Sequence, residues 1–134
     1  VNQNGVTTTN TCASGGCHDT NTGTGGALRL IGSAPAVDLS NPANTPEVVR
    51  TSDMYKNFYS SQGATVIGAP GESRLLEKPM LQVLHGGGQI FFDANDPNAK
   101  RISFWISRPM PQGQDEFSIA GNSMLAANGD CLDQ

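Results

Sequence analysis

Apolar residues along this chain fall in short runs, not in long periodic stretches. Residues 1–11 are polar and rich in Thr and Asn, and they read as a flexible lead-in. Residues 12–26 surround two cysteines and a histidine with Gly, Thr and Asn, which predicts a loop. Ala27-Leu28-Arg29-Leu30-Ile31 is apolar but too short for its period to separate helix from strand. Turn signals follow at Asp38–Pro42 and at Asn44-Thr45-Pro46. Thr45, Pro46 and Glu47 then make a helix start: a hydroxyl cap, proline at the first helical position, an acid in the first turn. Val48, Val49, Met54, Tyr55, Phe58 and Tyr59 give that helix an apolar face over about 46–61, ended before Gly63, with Met54 expected in the core. Thr51-Ser52-Asp53 offers a second cap, so the same stretch can also form two helices.

Further on, Ala64–Gly68 reads as extended and Gly68–Gly71 as a turn. Glu72–Lys78 is a short helix stopped by Pro79, and Met80–Leu84 leads into His85-Gly86-Gly87-Gly88. Gln89–Phe92 fits an extended segment. Residues 97–107 fit a helix with Ile102, Trp105 and Ile106 inward, closed by Pro109-Met110-Pro111. The remainder, 112–134, is acidic and weakly patterned, with one short helix expected at Ser123–Asn128. The expected fold is mainly α, short helices joined by long loops. The expected organisation is a lead-in (1–11), one domain (12–110) and a C-terminal extension (111–134).

Composition narrows the function. The chain has 134 residues, of which 16 are Gly and 8 Pro, and only five Phe, two Tyr and one Trp. A core so poor in large side chains benefits from another group to pack around. No apolar run approaches the roughly 20 residues of a membrane span. The polar start Val1–Asn4 reads as a processed or trimmed end. With a net charge of −4 and eight basic residues that form no cluster, nucleic acid and acidic membranes are poor partners. With two histidines and no nucleophile–His–acid pattern, hydrolase chemistry has no support.

The chemically informative segment runs from Cys12 to His18, reading Cys, four residues, Cys, His. Covalent haem attachment uses two thiols that add to the porphyrin vinyl groups and a histidine directly after the second, held under the ring. The usual spacing between the thiols is two residues. Ser14-Gly15-Gly16 are small, so a longer loop can bulge without driving a side chain into a macrocycle. Two other readings stay open. Cys12 and Cys17 can form a plain disulfide, or zinc can gather Cys12, Cys17, His18 and one of His85 or Cys131. Cys131 is otherwise a spare thiol able to link two chains.

The order of these pieces resembles a known family. The series is Cys12, Cys17 and His18; Leu28-Arg29-Leu30; Tyr55; Pro70-Gly71-Glu72-Ser73-Arg74-Leu75-Leu76; Pro79; His85-Gly86-Gly87-Gly88; and Trp105-Ile106. It is similar to monohaem c-type cytochrome domains of the planctomycete type found in secreted bacterial proteins, relatives of class I cytochrome c. The resemblance covers about residues 10–108. The four-residue cysteine spacing, the long segment 32–45 and the tail after 110 depart from the pattern.

The resemblance implies a cytochrome c-like fold wrapped around one haem c, joined to Cys12 and Cys17, with His18 as proximal iron ligand. The loop between the Leu75-Leu76 helix and the Trp105 helix would supply the distal ligand. His85 leads there, with Met80 and Met110 as rivals. Leu28, Leu30, Tyr55, Phe58, Leu75, Leu76, Phe91, Phe92 and Trp105 are candidates for the haem pocket, each also at home in an ordinary core. The implied function is electron transfer outside the cytoplasm, in the periplasm or beyond, to redox proteins met through a small transient interface. A haem enzyme or gas-binding domain with an open sixth position is the nearest alternative, and a disulfide- or zinc-stapled binding module the next.

Overall fold

The structure is a computed structural model and describes residues 2–3, 6–7 and 11–118. Within the lead-in, β1 (Asn2–Gln3) and β2 (Val6–Thr7) pair antiparallel, Asn2 opposite Thr7 and Gln3 opposite Val6. The helices are α1 (Pro46–Val49), α2 (Asp53–Gln62), α3 (Arg74–Glu77) and α4 (Pro97–Ile106), with single 3-10 turns at Ser14–Gly16 and Pro70–Glu72. Among the described residues the fold is mainly helical, as the pattern predicts, with most of the chain in loops. The expected helix at Ser123–Asn128 and Cys131 lie outside the described residues.

Local chemistry accounts for the helix limits. Thr45 Oγ1 accepts the Val48 amide at 3.4 Å and starts α1. Ser52 then acts in both directions: its hydroxyl donates to the Val49 carbonyl at 2.6 Å and accepts the Tyr55 amide at 3.1 Å. One side chain thus closes α1 and caps α2, so the stretch 46–61 forms two helices instead of one. Asp96 Oδ1 accepts the amides of Asn98 and Ala99, and Pro97 fills the first position of α4.

The core is small. Leu76, Phe91, Ala99 and Ile106 form its buried centre, with Leu75, Met80, Ile102 and Trp105 packed around them. Ser73 is fully buried beside it. Its hydroxyl accepts the Val66 amide at 2.9 Å and donates to the Ala69 carbonyl at 2.9 Å, so no polar atom is stranded. That network folds residues 64–69 into turns, where the sequence pattern suggested an extended segment. The expected extended segment Gln89–Phe92 is also irregular. The Ile90 and Phe91 amides both donate to the Pro79 carbonyl, at 2.8 and 3.1 Å, which bends the chain, buries Phe91 and leaves Phe92 outside. Met54, expected in the core, is exposed, because α2 turns Tyr55 and Phe58 inward instead.

The start of the extension folds back on the first two helices. Arg50 pairs with Asp115 at 3.0 Å and lies 4.7 Å over the Phe117 ring. The Tyr55 hydroxyl donates to Glu116 Oε1 at 2.6 Å, and the Tyr55 and Phe117 rings stack with centres 6.4 Å apart.

Candidate functional site

The first half of the site is the loop from Cys12 to Leu30. The 3-10 turn at Ser14–Gly16 reverses the chain, and the His18 amide donates back to the Cys12 carbonyl at 3.0 Å. Cys12 and Cys17 are both half-buried and not bonded to each other. Burial pushes the Cys12 thiol up, with the neighbouring Cys17 a smaller contribution in the same direction. The Leu30 amide donates to the His18 carbonyl at 2.7 Å, and the Thr20 amide to the Leu30 carbonyl at 3.1 Å, in a parallel bridge between Asp19 and Leu30.

This clasp aligns the histidine ring. His18 Nδ1 lies 3.1 Å from the Leu28 carbonyl oxygen. A carbonyl only accepts, so Nδ1 carries a proton, and in the neutral ring Nε2 is the nitrogen with the lone pair. Helix α2 holds the Leu28–Ile31 segment in turn. Asn57 Oδ1 accepts the Ile31 amide at 2.7 Å, Asn57 Nδ2 donates to the Ile31 carbonyl at 3.0 Å, and Ser60 Oγ accepts the Arg29 amide at 2.9 Å. Gly25 leaves room for the ring: a Cβ there would fall 2.6 Å from His18 Cε1 and 2.7 Å from the Cys17 carbonyl oxygen.

The second half is the loop between α3 and α4. Pro79 anchors its return, and Lys78 Nζ donates to the Leu84 carbonyl at 3.3 Å. At its tip the Gly88 amide donates to the His85 carbonyl at 3.0 Å, closing a turn. His85 Nδ1 donates to the Gly88 carbonyl at 2.7 Å. His85 is thereby in the same state as His18, with Nδ1 committed and Nε2 free.

The two rings are neighbours and nearly parallel. Their centres are 6.3 Å apart and their planes differ by 16°. Imidazoles that bind one ion from opposite sides point their nitrogens at each other edge to edge, and with bonds of about 2.0–2.1 Å their centres lie roughly 6.2–6.4 Å apart; the His18–His85 pair shares that spacing and the near-parallel planes. Backbone carbonyls on both Nδ1 groups are the usual outer partners of metal-bound histidines. Among the described residues no three His, Cys, Asp or Glu side chains converge as a metal-binding group. The zinc tetrad from Cys12, Cys17, His18 and His85 is therefore not assembled among the described residues, and the version with Cys131 lies outside them. Two protein ligands do suffice for an iron already held by a macrocycle.

The other candidates divide. Met80 packs on the core cluster, as do Leu75 and Trp105, and Leu76 is at its centre. Met110 is half-buried after α4. Leu28 and Leu30 sit in the segment that aligns His18, and their backbone does that work. Tyr55 is tied to Glu116, and that bond raises its hydroxyl above the usual phenol range. Phe58 bridges Tyr55 and Trp105, with ring centres 5.4 and 5.8 Å away. Gly25, Asn57 and Ser60 were not singled out by spacing or type, and Gly88 stood out only as one of the three glycines after His85. A glycine in a glycine-rich loop and polar residues on a helix carry no mark of what they face.

Comparison with protein-family models, curated proteins and solved structures finds no match to this chain.

Proposed function

We propose that this chain is an electron carrier built around one haem c. The His18–His85 pair carries the reading: two nearly parallel imidazoles with centres 6.3 Å apart, a spacing compatible with one metal ion between their nitrogens, each with Nδ1 held by a backbone carbonyl. In this reading Cys12 and Cys17 hold the porphyrin. Each thiol would add across a vinyl group, sulfur bonding to one carbon and hydrogen ending on the other, with no oxidant needed. Two further observations support it. Leu81, Val83, Leu84, Ile90 and Phe92, in the chain around His85, are all exposed, Leu84 at 94% and Phe92 at 85%. A flat apolar group against them would take that surface out of water. The buried core is also too small to need none.

Bound there, haem supplies reversible one-electron chemistry, at a lower potential with two nitrogen ligands than with His and Met. The chain's own residues do the positioning. The Leu28 and Gly88 carbonyls hold both Nδ1 protons, which would fix the tautomer and ring orientation of both histidines toward the iron. Asn57 and Ser60 hold the His18 side to α2, which keeps the site rigid as charge changes. Covalent attachment places the protein in the periplasm or outside the cell, and a net charge of −4 favours a basic redox partner through a small, transient interface.

The test is an absorption spectrum of the oxidised and reduced protein, made in a host that exports it and attaches haem. Low-spin bands and colour that survives acid acetone are expected. His85→Ala is expected to turn high-spin and bind carbon monoxide quickly. Colour lost to acid acetone overturns covalent attachment, and colourless protein overturns haem altogether and favours a stapled binding module. An unchanged low-spin spectrum in His85→Ala removes His85 from the iron. Fast carbon monoxide binding by the unaltered protein favours the open-site enzyme or gas-binding alternative.

A further inference from the structure

We propose that Gly88 is the positioning residue of the second histidine, setting both the tautomer and the ring plane of His85; its role in tuning iron rests on the haem reading above. The two histidines are held by different devices. His18 leans on a carbonyl ten residues away in sequence, itself fastened to α2. His85 is held inside its own four-residue turn. The Gly88 amide donates to the His85 carbonyl, and the Gly88 carbonyl accepts His85 Nδ1–H at 2.7 Å, the shorter of the two ring contacts.

Closing both bonds at once requires an unusual backbone. Gly88 has φ +78°, the left-handed region that glycine enters freely and β-branched residues resist. Space is not the reason for glycine at 88, since a Cβ there would meet nothing within 4 Å. Position 87 adds a steric limit: a Cβ there would come within 3.1 Å of His85 Cε1, so the ring has little freedom to swing that way. Losing the left-handed turn at 88 withdraws the carbonyl. The ring is then free to rotate out of its 16° alignment with His18 and to move its proton to Nε2, the nitrogen a metal needs.

Because the site is open at 88, two substitutions separate backbone conformation from bulk. Asn tolerates the left-handed region and Val does not. Three proteins are compared as full chains: unaltered, Gly88→Asn and Gly88→Val. Nitrogen-15 and proton NMR of the imidazoles, after dithionite reduction, read which His85 nitrogen carries the proton and whether that proton is held in a hydrogen bond. The proposal expects a hydrogen-bonded, slowly exchanging Nδ1–H in the unaltered protein and in Gly88→Asn, and a fast-exchanging one in Gly88→Val.

In the ferric proteins, electron paramagnetic resonance reads the ring planes. Parallel planes split the iron orbitals and give a rhombic low-spin signal; rotated planes move the largest g value up. Gly88→Val is expected to show that shift and a higher midpoint potential, and Gly88→Asn to match the unaltered protein. An Nε2–H tautomer in the unaltered protein overturns the proposal without any variant. So does Gly88→Val with unchanged proton exchange, signal and potential. Protein without any haem signal sinks the haem reading instead, while the tautomer measurement still decides the role of Gly88.

Discussion

Two glycines show how differently one missing side chain can act. At 25, an added methyl would strike His18 and the backbone of Cys17, and neither can move without loosening the clasp. Gly25→Ala is expected to cost about 1–3 kcal/mol by overpacking and to weaken the His18–Leu28 bond. At 71, in the 3-10 turn Pro70–Glu72, a Cβ meets nothing within 4 Å. Gly71→Ala is the matched control, expected within about 0.5 kcal/mol of the unaltered protein. Thermal denaturation of the two variants checks both figures, and equal midpoints would refute the steric role of Gly25. Residue types were informative where chemistry is rare: two histidines in 134 residues, and both belong to the site. They were uninformative for Gly25, one of 16 glycines, because crowding is a property of what lies across a gap.

Among the elements, α2 links the most. Its inward side grips the segment that aligns His18, through Asn57 and Ser60, while Tyr55 receives the folded-back tail. The tail contact carries a pH dependence. The bond to Glu116 holds the Tyr55 hydroxyl above its ordinary value, so its protonated form is the one the fold favours. That contribution is complete below about pH 10, the unfolded phenol value, and is lost as pH rises through the folded one. Glu116→Gln is expected to bring the Tyr55 transition down toward about pH 10. Phenolate absorbance during alkaline titration checks this, and an unmoved transition would mean Glu116 is not the cause. Helix starts at Thr45 and Asp96 were legible because caps are local. The fold-back of Asp115–Phe117 was not, because its partners Arg50 and Tyr55 lie more than 60 residues upstream.

For the molecule as a whole, a small core places much weight on few residues. Leu76 meets Phe91 and the inner face of α4, so Leu76→Ala is expected to destabilise by about 2–5 kcal/mol, measured by denaturant unfolding. A loss under about 0.5 kcal/mol would mean that this cluster does not hold α3 to α4. The exposed apolar chain around His85 belongs to the same account. A small fold leaves such surface open where a large flat group can cover it, and binding that group to the folded state alone then adds to stability.

The sequence by itself determined the helix caps, the mainly helical class, and the rare chemistry at Cys12, Cys17, His18 and His85. Those follow from bonds within a few residues and from which side chains can bind a metal at all. Only the tertiary structure decided that His18 and His85 come together, that Asp115–Phe117 folds back on α1 and α2, and that Met80 joins the core. Pairing across 67 residues depends on how α2 and the Pro79 loop pack, and packing is a sum over contacts that no local pattern contains.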